Sequence, residues 1–313
     1  MRIVFMGTGE IGLPTLHFLI GQSGHEIAGL FTQPDKKVGR KQILTPPEVK
    51  NVAEAADIPV FQPHKLSHNE TTFDFLRELE ADLFVVMAYG QILPTSIIEL
   101  PKLACVNLHA SLLPRHRGAS PIQAAIREGD PETGITLMHI VRELDAGDMI
   151  HKETIPISPD DTGGSLHDKL AELGPATLQN GFEKIGVERE SQDESLVTYA
   201  PKLGREDGEI DWQKPAVEIE RLIRAYDPWP GTIAMLDGAR IKIYPYAKSG
   251  PDTDRQPGEV FFPSEKSEPA VACGEGTSLF FGGKSAFQLD GRKRLPVPDF
   301  LRGNLIAEGA RFS

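Results

Sequence analysis

The sequence predicts an α/β fold: a Rossmann-like, doubly wound, mostly parallel sheet, followed by a smaller C-terminal β-barrel domain of the OB-like type. In the first half, short apolar runs alternate with amphipathic stretches, as in a parallel sheet covered by helices on both faces. Beyond residue 231, short β-like runs are separated by Gly, Pro and Asp, which is typical of a small barrel.

The elements of the first half follow from this alternation. The apolar runs predicted as strands are Arg2–Met6, Glu26–Thr32, Asp82–Met87 and Ala104–His109. The stretches predicted as helices are Gly12–Gly21, Thr71–Leu79, Pro121–Glu128 and Gly163–Ile185. Gly174-Pro175 is expected to interrupt the last helix, because proline lacks an N–H. Ligands of such a sheet bind beyond the carboxyl ends of its strands.

A charged and polar stretch without periodicity, near residues 188–209, predicts a linker between two domains. We therefore place the first domain at residues 1–189, the linker at 190–208 and the β-barrel domain at 209–313. The elements predicted for the second domain are the helix Ala216–Ala225 and the strands Arg240–Tyr246, Glu259–Phe262 and Ala286–Leu289.

Composition excludes several classes of protein. Lys and Arg number 33 against 45 Asp and Glu, and the net charge of −12 argues against indiscriminate binding of polyanions. The apolar runs are too short to span a bilayer, and the first one breaks at glycine, unlike a secretion signal. Cys105 and Cys273 form no CxxC pattern, which fits the cytoplasm; both are expected to be small buried residues.

The segment Gly7–Gly12 matches the G-x-G-x-x-G pattern of dinucleotide-binding folds. That pattern alone would favour an NAD-dependent oxidoreductase. Such a site also needs an acidic residue closing the second strand, to hold the ribose hydroxyls. Here the first acid, Asp35, follows Pro34 beyond the strand. We therefore interpret the glycines as a tight turn and keep the oxidoreductase as an alternative.

Two polar side chains share one face of the strand predicted at Ala104–His109. Asn107 and His109 are two residues apart, so both project toward the same side near the carboxyl end. An amide can donate to a carbonyl oxygen as it becomes anionic, and an imidazole can donate or take up a proton. A hydrogen-bonded core histidine is the simpler interpretation, but two polar residues on a buried face need partners that a core seldom supplies.

A carboxylate follows in the turn Leu144–Asp148. Asp145 beside His109 would favour the protonated imidazole and accept a proton from an attacking amine. An ordinary turn without catalytic meaning is the alternative. A metal site is also conceivable, although no HxH or HExxH spacing supports it; its ligands would be His109, His116, Asp145 and Asp148.

At these residues the chain resembles the 10-formyltetrahydrofolate-dependent formyltransferases. In that family an Asn-x-His at a strand end, a following SLLP and a downstream Asp-x-Gly turn form the active site; Asn107, His109 and Asp145 match them. The resemblance implies direct attack by an amine on the formyl group of 10-formyltetrahydrofolate, without metal, with these residues stabilising the tetrahedral intermediate. It implies folate contacts at Ser111, Leu112, Leu113, Pro114, Met87, Tyr89 and Gly90.

Two features bear on the acceptor amine. The basic segment Thr32–Lys41 matches a family loop that reaches the tRNA acceptor arm, although Lys41-Gln42-Ile43 stands where that loop often carries Gly-Lys-Lys. The C-terminal domain, which a small acceptor would not obviously require, also resembles the family's throughout. The tRNA contacts implied are Arg40, Lys41, Lys37, Arg292 and Lys293.

The expected activity is therefore formylation of the α-amino group of initiator methionyl-tRNA for translation initiation, by a cytoplasmic monomer that binds no membrane. Two other functions stay open at this point. A sugar-nucleotide amine formyltransferase is favoured by the acidic net charge. A non-catalytic RNA-binding module would share the basic segments but would not bind folate.

Overall fold

The computed structural model describes residues 1–21, 25–39, 41–67, 69–264, 267–303 and 306–313. Two compact units are formed. The first comprises Met1–Pro121, Glu132–Ile155 and His167–Ala200. The second comprises Ile122–Pro131, Pro156–Leu166 and Pro201–Ser313. Domain boundaries at residues 189 and 209 stay a prediction, and residues 190–200 cluster with the first unit.

A seven-stranded sheet in the order β10-β9-β7-β6-β1-β2-β5 forms the centre of the first unit. From β5 to β7 neighbouring strands are parallel, and β9 is antiparallel to β7. The predicted mostly parallel sheet is confirmed. The strands up to residue 200 are β1 (Arg2–Gly7), β2 (Glu26–Phe31), β3 (Lys36–Val38), β4 (Ile43–Thr45), β5 (Val60–Phe61), β6 (Leu83–Met87), β7 (Ala104–His109), β8 (Arg117–Gly118), β9 (Glu132–His139), β10 (Met149–Pro156) and β11 (Tyr199–Ala200).

Helices connect these strands, as the alternation predicts. Every residue of β6 is buried, because a parallel strand in the middle of a sheet is covered on both faces. Asn69 begins one helix by accepting a hydrogen bond from the Thr72 amide. The helices up to residue 181 are α1 (Leu13–Gly21), α2 (Glu48–Ala55), α3 (Glu70–Glu78), α4 (Thr95–Ile98), α5 (Pro121–Glu128) and α6 (Gly163–Gly181).

The predicted interruption of α6 at Gly174-Pro175 is wrong. The helix is continuous from Gly163 to Gly181 with Pro175 inside it. A Cβ on Gly174 would lie 2.5 Å from the Thr15 hydroxyl oxygen, so glycine permits close packing against α1. This packing holds the helix together where proline removes one backbone hydrogen bond.

The second unit contains two four-stranded antiparallel sheets, in the orders β12-β13-β18-β19 and β14-β17-β16-β15. The predicted second, smaller β domain is confirmed, and its strands are antiparallel. Buried residues of both sheets form one hydrophobic cluster with α7, including Ile241 and Leu279. The remaining elements are α7 (Ala216–Ala225), β12 (Thr232–Leu236), β13 (Ala239–Ile243), β14 (Lys248–Ser249), β15 (Val260–Phe261), β16 (Ala270–Ala272), β17 (Ser278–Phe280), β18 (Ala286–Leu289), β19 (Leu295–Pro296) and α8 (Val297–Gly303).

Among the described residues, no helix combines the length and the apolar character needed to cross a lipid bilayer.

Both cysteines are free and buried, as predicted. Burial raises the pKa of Cys105 to about 12, and it raises the pKa of Cys273 to about 12 as well. Because the thiolate is the reactive species, we expect neither thiol of the native protein to react with Ellman's reagent at pH 8 within minutes. Both should react after denaturation in guanidinium chloride. Rapid labelling of the native protein would contradict this burial.

Candidate active site

The polar side chains predicted from the sequence lie at the carboxyl end of β7, between β6 and β9. Asn107 pairs with Val86 of β6, and His109 pairs with Thr136 of β9. Because alternate residues of a strand share a face, the amide and the imidazole project toward the same side. His109 is buried and Asn107 is half-buried. The carboxyl end of a parallel sheet is where α/β folds bind their ligands.

A backbone hydrogen bond orients the His109 ring, and a carboxylate faces its other nitrogen. Its Nε2 lies 2.9 Å from the carbonyl oxygen of His116. A carbonyl can only accept, so Nε2 carries a hydrogen and Nδ1 is the nitrogen that exchanges protons. Nδ1 lies 3.7 Å from the Asp145 Oδ2 atom, and the two side chains are 6% and 16% exposed. When His109 is protonated, this arrangement is a shielded ion pair.

The Asp145 Oδ2 atom that faces His109 also accepts a backbone hydrogen bond. The backbone amide of Gly118 donates to this oxygen at 2.8 Å. A Cβ on Gly118 would lie 2.6 Å from the Ala200 carbonyl oxygen, and the φ of this glycine is +117°. Glycine at position 118 therefore lets β8 approach β11 closely, and the backbone amide of Gly118 is directed toward Asp145.

The Asn107 amide, in contrast, makes no side-chain hydrogen bond within the described part of the chain. A half-buried amide without a protein partner can donate to a bound oxygen atom. The site thus combines an available donor in Asn107 with an oriented imidazole and carboxylate in His109 and Asp145. That combination can stabilise an oxyanion and transfer a proton.

The other two residues of the conceivable metal site make separate contacts. The His116 amide donates to the Thr198 hydroxyl at 2.9 Å. Asp148 accepts a hydrogen bond from the Ser191 hydroxyl at 3.0 Å. Within the described residues, no group of three or more His, Cys, Asp or Glu side chains is suited to hold a metal ion.

The glycine fingerprint packs against the loop after β6. The amides of Thr8 and Gly9 both donate to the Ala88 carbonyl oxygen at 3.2 Å, so neither amide is directed at a phosphate. A Cβ on Gly9 would lie 3.2 Å from that of Ala88. These contacts favour the interpretation of the glycines as a tight turn that packs against the loop after β6. The lack of an acidic residue at the end of β2 agrees with that interpretation.

The predicted folate contacts after β6 differ in accessibility. Met87 and Tyr89 are almost fully buried, and burial raises the pKa of Tyr89 above its usual range. Gly90 is exposed, with φ +80°, and its carbonyl oxygen accepts from the Gln33 amide at 2.9 Å. A ligand at this loop would meet backbone atoms rather than the two large side chains.

The SLLP segment after β7 is held against β9. Thr136 donates to the Ser111 carbonyl oxygen at 2.6 Å and accepts from the Leu113 amide at 3.1 Å. The side chains of Ser111 and Leu113 are buried, whereas Leu112 and Pro114 are half-buried. Of the four predicted folate contacts here, Leu112 and Pro114 are therefore the accessible ones.

The basic segment after β2 forms the hairpin of β3 and β4. Lys37 and Lys41 are exposed on it, beside Val38, Ile43 and Leu44, which are 56%, 60% and 62% exposed. Arg40, predicted as a tRNA contact, lies outside the described residues. In the second unit, Arg292 and Lys293 are exposed between β18 and β19.

Residues 190–200 contribute hydrogen bonds to the segment at His116 and Arg117, a role that the sequence patterns did not predict. They were predicted as linker because their sequence has no periodicity, yet β11 pairs with β8 behind the site. Thr198 accepts from the amides of both His116 and Arg117, through its hydroxyl and carbonyl oxygens respectively. The only local signal was Tyr199–Ala200, which is too short to predict as a strand.

The family model "Formyl transferase" matches residues 1–180, and "Formyl transferase, C-terminal domain" matches residues 202–305. The chain belongs to the formyl transferase family. The family resemblance predicted from the sequence is confirmed, and Asn107, His109 and Asp145 all lie within the N-terminal match.

Curated relatives of this formyl transferase extend over almost its full length. A methionyl-tRNA formyltransferase of Akkermansia muciniphila is 49% identical over 312 residues, covering 97% of each chain. One of Geobacter sulfurreducens is 44% identical over 314 residues, covering 99% of this chain and 96% of the relative.

Solved structures with the same fold are more distant in sequence. The sugar 3N-formyl transferase WlaRD, solved with dTDP and 5-N-formyl-THF, is 18% identical with a TM-score of 0.64, covering 94% of this chain and 99% of the other. An N-formyltransferase from Helicobacter canadensis, complexed with folinic acid and dTDP-3-aminofucose, is 18% identical with a TM-score of 0.61, covering 90% and 98%. At this identity the likeness concerns the fold alone.

Proposed function

We propose that the protein transfers the formyl group of 10-formyltetrahydrofolate to the α-amino group of initiator methionyl-tRNA, giving N-formylmethionyl-tRNA for translation initiation. The observation that carries the chemistry is the His109–Asp145 pair beside the unbonded amide of Asn107. The acceptor is supported by the relatives named methionyl-tRNA formyltransferase at 44–49% identity. The sugar formyltransferases share only 18%.

Asn107 and His109 both stabilise the negative charge that develops on the formyl oxygen. As an amine adds to the formyl carbon, charge moves to the carbonyl oxygen, and the Asn107 amide donates to it. When its ring is protonated, His109 adds a second donor through Nδ1, because its Nε2 already donates to the His116 carbonyl. Donors fixed in a shielded site stabilise such charge more than water does, since they need no reorganisation.

Asp145 accepts the proton of the attacking amine. The ordinary pKa of an α-amino group, about 7.7–8, leaves part of it neutral near pH 7, so direct attack needs no covalent enzyme intermediate. The carboxylate of Asp145 lies next to His109, and the pair can pass the amine's proton toward the folate nitrogen as it leaves.

The folate co-substrate is proposed to lie between the β6 loop and the SLLP segment. Exposed Gly90 lets a flat ring approach the backbone, and half-buried Leu112 and Pro114 offer apolar contact. Met87, Tyr89, Ser111 and Leu113 then shape the wall from behind, since their side chains are buried. In this proposal the protein is a cytoplasmic monomer, with the catalytic domain at residues 1–189 and a tRNA-binding domain at 209–313.

The β3–β4 hairpin is proposed to contact the acceptor arm, with Arg40 and, in the second unit, Arg292 and Lys293 as further contacts. We expect the double variant Lys37→Ala/Lys41→Ala to raise the KM for methionyl-tRNA while folate binding stays unchanged, because both cations are exposed. Loss of two phosphate contacts should also reduce the slope of log(kcat/KM) against log(salt concentration) by about two.

Lys65→Ala removes an exposed cation from a different loop and is the matched control for this hairpin. Its salt dependence should equal that of the wild type. If the double variant behaves like Lys65→Ala at moderate ionic strength, the hairpin does not bind the tRNA backbone.

An acceptor screen tests the proposed function itself. Radiolabelled 10-formyltetrahydrofolate is offered with methionyl-tRNA, amino-sugar nucleotides or glycinamide ribotide, and the labelled product is counted. We expect label in methionyl-tRNA alone. Transfer to an amino-sugar nucleotide in preference to methionyl-tRNA would overturn the proposed acceptor and leave the formyl-transfer chemistry standing.

A further inference from the structure

We propose that Gln192 is a positioning residue that holds the Asp145 carboxylate against His109; this inference rests on the proposed function. The Gln192 side-chain amide donates two hydrogen bonds of 2.8 Å, to the carbonyl oxygens of Asp145 and Gly147. It therefore binds the backbone at Asp145 and two residues beyond it.

The turn around Asp145 depends on this outside support. Asp145 has φ +49°, in the left-handed region that residues other than glycine rarely adopt. The turn's own backbone hydrogen bond, from the Ala146 amide to the Glu143 carbonyl, is long at 3.4 Å. Gln192 supplies two shorter bonds to the same few residues, so it fixes a backbone conformation that the turn alone secures weakly.

Gln192 is itself fixed by a buried arginine. Its Oε1 accepts from the Arg117 Nε at 2.9 Å, and the two residues are 9% and 3% exposed. Arg117 directly precedes Gly118, whose amide bonds the Asp145 carboxylate. The Arg117–Gln192 pair thus connects the backbone of Asp145 with the donor that holds its side chain.

Gln192→Met keeps the length of the side chain and removes both donated bonds, together with the bond accepted from Arg117. We expect kcat to fall by about 10- to 100-fold, because small displacements of catalytic groups have effects of this size. The KM values for methionyl-tRNA and 10-formyltetrahydrofolate should stay within about threefold, since Gln192 is buried and touches backbone and Arg117. Gln192→Glu, which keeps the Arg117 contact but points an oxygen at the two carbonyls, serves if the Met variant melts early.

A double-mutant cycle distinguishes positioning from general damage. In an Asp145→Asn background, Gln192→Met should cost less than about threefold in single-turnover rate, because its effect acts through the carboxylate. Glu194→Gln removes the negative charge beside Arg117 at an exposed position and leaves the Gln192 bonds intact, so its rate should equal the wild type's.

The possible results distinguish the role of Gln192 from the proposed function. Unchanged kcat in Gln192→Met, or a loss that multiplies with that of Asp145→Asn, overturns the role of Gln192 while the proposed function stands. A wild-type protein that does not formylate methionyl-tRNA overturns the proposed function instead. An Asp145→Asn variant with the wild-type rate overturns the catalytic role of Asp145, and with it the positioning role of Gln192.

Discussion

Replacing Asn107 by alanine should lower the single-turnover rate of formyl transfer by about 100- to 1000-fold, roughly 3–4 kcal/mol of transition-state stabilisation. Its side-chain amide has no hydrogen-bond partner among the described residues and lies at the carboxyl end of β7. Its loss removes an oxyanion contact and breaks no bond of the fold. Folding and substrate binding should therefore stay normal while kcat falls.

The matched control is Asn51→Ala on the exposed face of α2, where the amide bonds only the neighbouring Glu48. Thermal unfolding and folate binding of both variants should match the wild type, and only Asn107→Ala should lose rate. A near-normal single-turnover rate for Asn107→Ala would remove the amide from the mechanism.

Replacing Asp145 by alanine should reduce the rate at least as much, again by about 100- to 1000-fold. The substitution deletes the carboxylate that faces Nδ1 of His109 and accepts from the Gly118 amide. His109 then has no counter-charge when it is protonated, and the amine's proton has no acceptor. The loss should appear in kcat, since Asp145 acts mainly in the transition state.

Asp148→Ala is the control here, because it lies in the same turn. Its carboxylate accepts from the Ser191 hydroxyl and lies 3.9 Å from Arg189, with side chains 32% and 60% exposed in that ion pair. Removing it should change the rate by less than about threefold. Equal losses in the two variants would mean that the turn as a whole, rather than the Asp145 carboxylate, is needed.

Sequence patterns predicted the helices and strands that have a clear run or periodic spacing of apolar residues. The bounds of β7, α5 and α7 were predicted to the residue, because buried runs and amphipathic spacing fix them locally. Strand alternation also placed Asn107 and His109 on one face. These predictions needed no information from distant parts of the chain.

Other features depend on packing between distant segments and left no local signal. Pro175 was predicted to interrupt α6 because proline usually breaks a helix, but close packing at Gly174 keeps the helix continuous. The pairing of β8 with β11 joins residues about eighty positions apart, so the supports of His116 and Asp145 were not visible in the sequence. The buried pair of Arg117 and Gln192 could not be inferred for the same reason.

The central claim is that Asn107, His109 and Asp145 act on a single formyl group. A crystal structure of the protein with a stable N10-formyl folate analogue tests it most directly. We predict the formyl oxygen within about 3.1 Å of the Asn107 amide nitrogen, with Nδ1 of His109 facing the same oxygen. A formyl group bound elsewhere, with the Asn107 amide turned to water, would contradict the account.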